Sequence, residues 1–497
     1  MKIAFTIFIF MFILLRPYTV TGSGFWYYGD DQDYFAHDTS IVFGQFPSYR
    51  NEYMTIDGHY PQSSIGSSLL SLPFVWAFSL IDRCLGSSIV LHRTADNIPG
   101  SWSEFGFALA SCFYFSLGCI LLYKGALYFV EERYAFLSIT LTALCQGLPL
   151  FVVRRPIFSH AAEFFLQSIF VFLILRNITT SQKFPRIWWH YLLLGILGAL
   201  TYLTRYNNIG FAGVAPIVLL ISSNFTVKKW KSLLLIFASV FVMIAIFKIW
   251  PESYNKTHVY TWIKEYLLIN VTPVQLGKRV LHILFGLDWG LIYSAPYILI
   301  GLAAFFLSNF PGKKYFLWLL IALIINFYII MIWGSQGGWY GYRYLLAATI
   351  PLLVLPVAIL FKNAEAFFKK NLTLCWVLLS IPPALSMFCF EGNDSTLDLR
   401  LTPQDFGHTD ITNNLYQFHV WETFLFQPMF FLNILCKGGG QYIAFLFTHL
   451  LQKIGLFSNA YFRNYTSFDP ILLIKVILIY TVPFLTAWIL MKHPKHE

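Results

Sequence analysis

The feature that most constrains this chain is a succession of apolar runs, each close to the length that a helix needs to cross a bilayer. Such a helix takes about 20 residues. The chain of 497 residues is 57% hydrophobic and only 12% charged, whereas soluble domains carry roughly twice that charged fraction. The sequence therefore predicts an all-α polytopic membrane protein. A transmembrane barrel would instead show alternating segments of about ten residues.

The number of runs predicts about twelve spans. After a first span near the N-terminus, they cover residues 104–130, 133–153, 156–176, 187–204, 208–222, 232–250, 289–308, 315–333, 344–361, 372–390 and 471–490. A cleaved signal peptide is the alternative interpretation of the first run. Segments 415–435 and 441–457 are either interfacial helices or an extra hairpin of spans, which would raise the count by two.

Lysine and arginine indicate the orientation of these spans. Every second connection is short and basic, and the positive-inside rule places such connections, together with both termini, in the cytoplasm. The net charge of +10 is explained in this way and does not predict a nucleic-acid partner. The long connections 21–103, 251–288 and 391–470 then share the non-cytoplasmic face. A span at 63–80 would reverse every later connection, so this stretch is predicted to lie in the membrane interface.

Three parts follow from this arrangement. Residues 1–390 form the predicted transmembrane core, with a first outer loop at 21–103 that carries the chemistry. Residues 391–470 form a non-cytoplasmic segment with interfacial helices, and 471–497 form the last span and a cytoplasmic tail. The sequence contains no Gly-rich phosphate loop and no βαβ pattern, which argues against an ATP-driven pump.

Three acidic residues stand together at the start of the first outer loop, in "GDDQDYF" at 29–35. Asp30, Asp33 and His37 fall on one face of a helix, with Tyr34 beside them. Close carboxylates raise one another's pKa, which suits a general base. Asp30 and Asp31 could equally bind a divalent cation through their oxygens, or the cluster could be no more than a helix cap. No other cofactor is predicted.

The order of several motifs resembles that of the GT-C fold glycosyltransferases, a superfamily that includes protein O-mannosyltransferases and lipid A aminoarabinose transferases. The motifs are "GDDQDYF" (29–35), "YRNEY" (49–53), "YPQSSIGSSLLSLPF" (60–74), "SHAAEFF" (159–165), "YLTRYNN" (202–208), "GLDWGLIYSAPYIL" (286–299) and "GGWYGYRYL" (337–345). The resemblance implies a helical bundle with juxtamembrane helices in the first outer loop. Tyr60 would open the second of these helices.

The same resemblance implies an activity, namely transfer of a sugar from a polyprenyl-phosphate carrier to a hydroxyl of a glycan, lipid or protein acceptor. Asp30 would be the general base and Asp31 its partner, with inversion at the anomeric carbon. The reaction would take place on the non-cytoplasmic face of the bacterial inner membrane, or of the ER membrane in a eukaryote. Membrane lipids would surround the protein.

Arginines at the outer ends of the spans are candidates for holding the carrier phosphate, because a guanidinium binds phosphate bidentately. These are Arg343, Arg205, Arg154 and Arg155. The alternative is that they reach toward lipid headgroups.

His160 and Glu163 lie just inside a span, where ionisable residues are candidates for function. His160 could bind the acceptor or a cation, or could only pack between helices.

Two other functions remain open at this stage. A polysaccharide polymerase or ligase would rely on outer-loop arginines and a histidine and would not need the acids of the first loop. A transporter or flippase of lipid-linked glycans would show acids buried in the middle of spans, or helices broken at matching places in two halves.

Overall fold

The structure, a computed structural model, is helical throughout the residues that it describes. These are residues 2–14, 30–49, 61, 63–86, 101–144, 148–153, 156, 159–181, 183–185, 187–223, 230–255, 272–285, 295, 297–333, 343–376, 380 and 470–492. Within them, six helices are long and apolar enough to cross a membrane, and three shorter helices are also apolar. The prediction of an all-α membrane protein is confirmed, whereas the count of twelve spans stays a prediction.

Most helices follow the predicted runs within a few residues, whereas the predicted spans 289–308 and 372–390 lie partly outside the described residues. The helices are α1 (Lys2–Leu14), α2 (Asp30–Val42), α3 (Gly66–Leu85), α4 (Trp102–Ala126), α5 (Glu132–Ile139), α6 (Leu148–Val153), α7 (His160–Thr179), α8 (Trp188–Thr204), α9 (Ile209–Ser222), α10 (Trp230–Ile244), α11 (Trp250–Tyr254), α12 (Pro273–Phe285), α13 (Tyr297–Leu307), α14 (Lys313–Trp333), α15 (Arg343–Asn363), α16 (365–376) and α17 (Pro470–Lys492). Short π-helical turns follow α5 and α10, at Thr140–Leu144 and Ala245–Ile249.

The predicted span at 133–153 is not one continuous α-helix. It contains α5, a π-helical turn and the short helix α6, and residues 145–147 between the last two lie outside the described residues. The apolar pattern gives the length of the run but does not show the π-helical turn.

The predicted interfacial stretch forms α3, which packs along the first half of α4. Tyr114 Oη donates to Leu70 O at 2.8 Å, and the Phe78 and Trp102 rings stack at 6.4 Å. Farther along α4, Gly118 lets α7 approach so closely that a Cβ there would lie 2.6 Å from a ring carbon of Phe164. The interfacial position of α3 stays a prediction, because this helix is also long and apolar enough to cross a membrane.

A buried carboxylate holds the end of α3 against the start of α4. Asp82 accepts hydrogen bonds from the backbone N–H groups of Trp102 and Ser103, both at 2.8 Å, and from Ser103 Oγ at 2.6 Å. Ser101 and Glu104 complete the first turn of α4 with a reciprocal capping box. The free N–H groups of a helix N-terminus attract negative charge, so this contact fixes the two helices relative to each other.

Two helices differ sharply in their surroundings. α15 is almost wholly buried and packs against α5, α7 and α13; Ser138 on α5 donates to Val354 O at 2.5 Å. α10 packs mainly against α8 and leaves large apolar side chains exposed. In a membrane these side chains would face lipid, so α15 is the central helix and α10 a peripheral one.

Candidate functional site

The acidic stretch of the first outer loop forms α2, as predicted, with Asp30 and Asp31 as its first two residues. One turn later, Tyr34 joins α2 to two other helices. Ser68 Oγ on α3 donates to Tyr34 O at 2.7 Å. Ser159 Oγ, immediately before α7, donates to Tyr34 Oη at 3.2 Å. The helix that starts with the acids is therefore fastened to the first residues of α7.

Asp33 and His37, one turn apart on α2, both bind the backbone of Ser63. Asp33 Oδ2 accepts from Ser63 N–H at 3.0 Å, and His37 Nε2 lies 2.9 Å from Ser63 O. The shared helix face of these two residues is thus used to hold the segment that leads into α3. This contact gives both side chains a structural role, which the sequence pattern did not distinguish from catalysis or metal binding.

The contacts of His37 also define its protonation. A carbonyl oxygen can only accept, so Nε2 carries the proton, and Nδ1 accepts from Tyr49 Oη at 2.5 Å. Burial lowers the pKa of His37 from 6.5 to about 4; the hydrogen bond to Ser63 opposes this shift, and the positive charge of Lys248 adds to it. His37 is therefore neutral at physiological pH and serves as a fixed donor and acceptor.

Asp38, the next residue of α2, lies fully buried between α2 and α3. Ser71 Oγ donates to its Oδ2 at 2.5 Å, and Oδ1 makes no hydrogen bond to any residue that the structure describes. Burial raises the pKa of Asp38 well above its usual range, although the Ser71 hydrogen bond works in the opposite direction. Asp38 thus packs α2 onto α3, and its burial favours the protonated form.

A second polar cluster lies at the end of the bundle where α7 begins and α8 ends. Arg205 Nη1 lies 2.9 Å from His160 Nδ1 and 3.7 Å from Glu163 Oε2, and all three residues are buried. A guanidinium can only donate, so His160 accepts at Nδ1 and is neutral. Among the described residues, the cluster therefore combines a guanidinium, a carboxyl group and a neutral imidazole.

Two asparagines connect Glu163 to the backbone of α9. Gly210 N–H donates to Asn326 Oδ1 at 3.1 Å, Asn326 Nδ2 donates to Asn208 Oδ1 at 3.1 Å, and Asn208 Nδ2 donates to Glu163 Oε1 at 2.7 Å. In each asparagine, the hydrogen bond accepted at Oδ1 sets the orientation of the amide, so that Nδ2 donates to the next residue of the series. Glu163 Oε2 therefore lies on the side of Arg205. Through Glu163 and the two asparagines, the guanidinium is connected to α14 as well as to α7.

Two contacts attach α2 and the segment before α3 to this cluster. The Tyr34–Ser159 hydrogen bond ends at the residue before His160. Ser64 Oγ donates to Thr204 O, the residue before Arg205, at 2.5 Å. Gly66 allows the close approach at the second contact, because a Cβ there would lie 2.5 Å from the backbone carbon of Leu203. The structure thus brings together His160, Glu163, Arg205 and Tyr34 of the predicted set.

Other predicted residues are described only in part. Tyr60, Arg154 and Arg155 lie outside the described residues, and so does the segment 391–469. For Asp30, Asp31 and Arg343, the structure describes the helices that they begin but not their side chains.

Arg279, another arginine near an outer connection, donates from Nη1 to Met331 O at 2.6 Å. It thus satisfies a carbonyl near the end of α14.

Three polar residues of this region were missed as site candidates by sequence reasoning. Asn208 lies inside the quoted motif "YLTRYNN" but was given no role, and Asn326 is a neutral amide within an apolar run. Lys248 had a detectable signal, since it is an ionisable residue close to the end of a predicted span. Within the described residues, no group of three or more His, Cys, Asp or Glu side chains is placed to hold a metal ion.

No protein-family model matches this chain, and no curated protein matches it in sequence. Its fold is similar to solved structures of ArnT from Cupriavidus metallidurans in the apo state, with a TM-score of 0.44, 14% identity, and coverage of 97% of this chain and 76% of that one. It is also similar to the oligosaccharyltransferase AglB from Archaeoglobus fulgidus in complex with an inhibitory peptide and a dolichol-phosphate, with a TM-score of 0.45, 12% identity, and coverage of 84% and 59%.

Both structures are GT-C fold glycosyltransferases, the superfamily that the sequence motifs resemble. The chain spans 59% of the length of the archaeal enzyme. With TM-scores below 0.5, the likeness concerns the overall arrangement of helices and carries nothing about substrate or mechanism.

Proposed function

We propose that this protein is a GT-C type glycosyltransferase that moves a sugar from a polyprenyl-phosphate carrier to an acceptor hydroxyl on the non-cytoplasmic face of the membrane. Asp30 would accept the proton of the acceptor, with Asp31 as its partner. Arg205 would hold the phosphate that leaves the sugar. A single displacement of this kind inverts the anomeric carbon.

One observation carries this proposal: the acidic helix α2 and the segment before α3 each contact a residue next to the buried arginine cluster. Ser159 joins α2 to the residue before His160, and Ser64 joins the start of α3 to the residue before Arg205. A glycosyl transfer needs a base for the acceptor and a cation for the leaving phosphate within one site. These two contacts bring the elements that carry such groups to the same end of the bundle.

The state of the cluster fits a phosphate ligand. Arg205 is buried beside Glu163, which is itself held by Asn208. A neutral His160 can receive a hydrogen bond from the guanidinium without adding a second positive charge. A guanidinium can bind a phosphate bidentately.

The test is a transfer assay with purified protein and a polyprenyl-phosphate sugar. We expect Asp30→Asn to lower the rate by about a hundred- to ten-thousandfold, as is typical for loss of a general base. Asp33→Asn is the matched control, because an amide oxygen can still accept from Ser63 N–H. If Asp33→Asn is the variant that loses activity and Asp30→Asn is not, the base is assigned to the wrong residue.

Chelation addresses the role of Asp31. If Asp31 only orients the base, Asp31→Asn should cost less than Asp30→Asn and EDTA should have no effect. If the two carboxylates hold an essential cation, both variants should be equally impaired and EDTA should abolish transfer. Near wild-type rates for Asp30→Asn and Asp31→Asn together would leave the acids as a helix cap and overturn the proposal.

The contact between Arg205 and His160 favours a second candidate function, a polysaccharide polymerase or ligase that uses these residues directly. Such an enzyme would lose activity with His160→Gln but keep it with Asp30→Asn, so the same assay separates the two candidates. Glu163 lies in the first turn of α7 rather than in its middle, so its position gives no support to a transporter.

A further inference from the structure

Lys248 is a buried cation at a break in a peripheral helix. It lies in the π-helical turn Ala245–Ile249 between α10 and α11, and only 7% of its surface is exposed. π-helical turns within longer helices are frequent at functional sites. An ion pair in an apolar environment is commonly no more stable than an apolar pair of the same size. Lys248 is therefore not explained by stability alone.

The ammonium of Lys248 is held by two groups. Its Nζ lies 2.9 Å from Glu252 Oε1, one turn further along, and 3.6 Å from the centre of the Tyr206 ring. Tyr206 directly follows Arg205 in the chain. The cation of the peripheral helix thus lies against the residue that adjoins the arginine of the buried cluster.

The π-helical turn and α11 also contact the segment that follows the acidic helix α2. The Phe46 ring lies 6.0 Å from the Phe247 ring and 5.7 Å from the Trp250 ring. Asn255 Nδ2 donates to Pro47 O at 2.7 Å. The residues that make these contacts lie before and after Lys248 in the sequence. The positive charge of Lys248 also contributes to the low pKa of His37. Lys248 therefore lies on the part of the peripheral helix that contacts both the segment after α2 and the residue that follows Arg205.

We propose that Lys248 is a second anion-binding cation of this site, which exchanges its contact with Glu252 for the phosphate of the lipid carrier. The proposal rests on the proposed function and names a contact beyond it. Glu252 and the Tyr206 ring hold the ammonium in place and compensate its charge while no phosphate is bound. Arg205 and Lys248 would then provide two positive charges for a phosphate group, and a point charge such as an ammonium adapts to either phosphate oxygen.

The experiment measures binding of a polyprenyl phosphate to the full-length protein in nanodiscs of neutral lipid. Wild type is compared with Lys248→Met, Glu252→Gln and the double variant, and thermal stability is recorded for each. Lys248→Met should weaken binding about ten- to hundredfold, the effect of losing a hydrogen bond to a charged group. Glu252→Gln should bind at least as tightly as wild type, because the competing carboxylate is gone. The double variant should bind as weakly as Lys248→Met.

A purely structural ion pair gives a different pattern. In that case Lys248→Met and Glu252→Gln would weaken binding equally and lower the melting temperature equally, and the double variant would recover both; this result would overturn the proposal. Equal binding by wild type and Lys248→Met would overturn it as well.

Three further probes identify the chemistry. Polyprenol, which lacks the phosphate, should not distinguish wild type from Lys248→Met. Inorganic phosphate and nanodiscs containing phosphatidylglycerol show whether a free phosphate or a bulk anionic lipid competes for the same group; full competition by the lipid would overturn the assignment to the carrier. If wild type fails to bind any polyprenyl phosphate, the proposed function itself fails, which is a separate outcome from loss of the Lys248 effect alone.

Discussion

The two polar clusters of this protein use their side chains in different ways. On α2, Asp33 and His37 bind a backbone, namely the N–H and C=O groups of Ser63. At the end of the bundle, Glu163 and Arg205 lie within a chain of side chains that bind one another. A side chain that binds backbone fixes the path of a loop. A charged group that is held in place by other buried side chains is oriented in advance for a ligand.

Two arginines differ in the same way. Arg205 belongs to the side-chain cluster, whereas Arg279 binds the backbone oxygen of Met331. If the distinction is sound, only the first should matter for the carrier. The predictions that follow test it, beginning with the largest expected effect.

We expect Arg205→Lys to lower kcat/KM by about ten- to hundredfold, because lysine keeps the charge but cannot bind phosphate in the bidentate geometry of a guanidinium. Arg279→Lys is the matched control and should leave kcat/KM within about twofold, since an ammonium can still donate to a carbonyl. Steady-state kinetics on both purified variants gives the answer. Similar losses for the two would mean that the arginines act only through the fold.

A smaller effect is expected at Asn326, which touches the proposed ligand group only through Asn208 and Glu163. Asn326→Leu should weaken carrier binding by about threefold to tenfold, the value of one net hydrogen bond between neutral groups. Asn326→Gln and Asn326→Leu are compared by ligand titration alongside the melting temperature. A loss of stability with unchanged affinity for the carrier would show that the asparagine chain only joins helices.

The last prediction concerns the stability of α2 rather than catalysis, and it rests on the buried Asp38. Its pKa is raised in the folded protein, so its contribution to stability is complete below the unfolded value of about 4. This contribution is lost as the pH rises toward the folded pKa, by about 1.4 kcal/mol per pH unit. Asp38→Asn should therefore melt with a weaker pH dependence over that window, measured in detergent. An unchanged slope would mean that Asp38 is charged in the fold.

Sequence patterns predicted the helices better than the cluster. Apolar runs identify α7 and α8, and rare ionisable residues in or beside such runs identify His160, Glu163 and Arg205. Asn208 and Asn326 have no charge and are ordinary residues in composition, so their meeting across 118 positions depends on packing that no local pattern contains. The role of Asp33 was open for the same reason, because its partner is a backbone group 30 residues away.

Lys248 was missed for a different reason. The apolar run ends near residue 250, so the sequence predicts the end of a span there. Lysine is common at the ends of spans. The structure continues the helix through a π-helical turn to Tyr254, so the same lysine lies within a longer helix and is buried. A boundary that is wrong by one turn is enough to change the interpretation of an ionisable residue.

The exposed face of α10 has a consequence for how this protein would meet its donor. Its outward side chains are large and apolar, namely Leu234, Phe237, Phe241 and Val242, and Ile246 in the π-helical turn is exposed as well. A polyprenyl tail could lie along this face in the bilayer, with its head at the turn that carries Lys248. The rate would then depend on the surface concentration of the carrier, that is, on the number of carrier molecules per area of membrane. Diluting a vesicle suspension with buffer would leave the rate per enzyme unchanged, whereas diluting the carrier with other lipids would lower it.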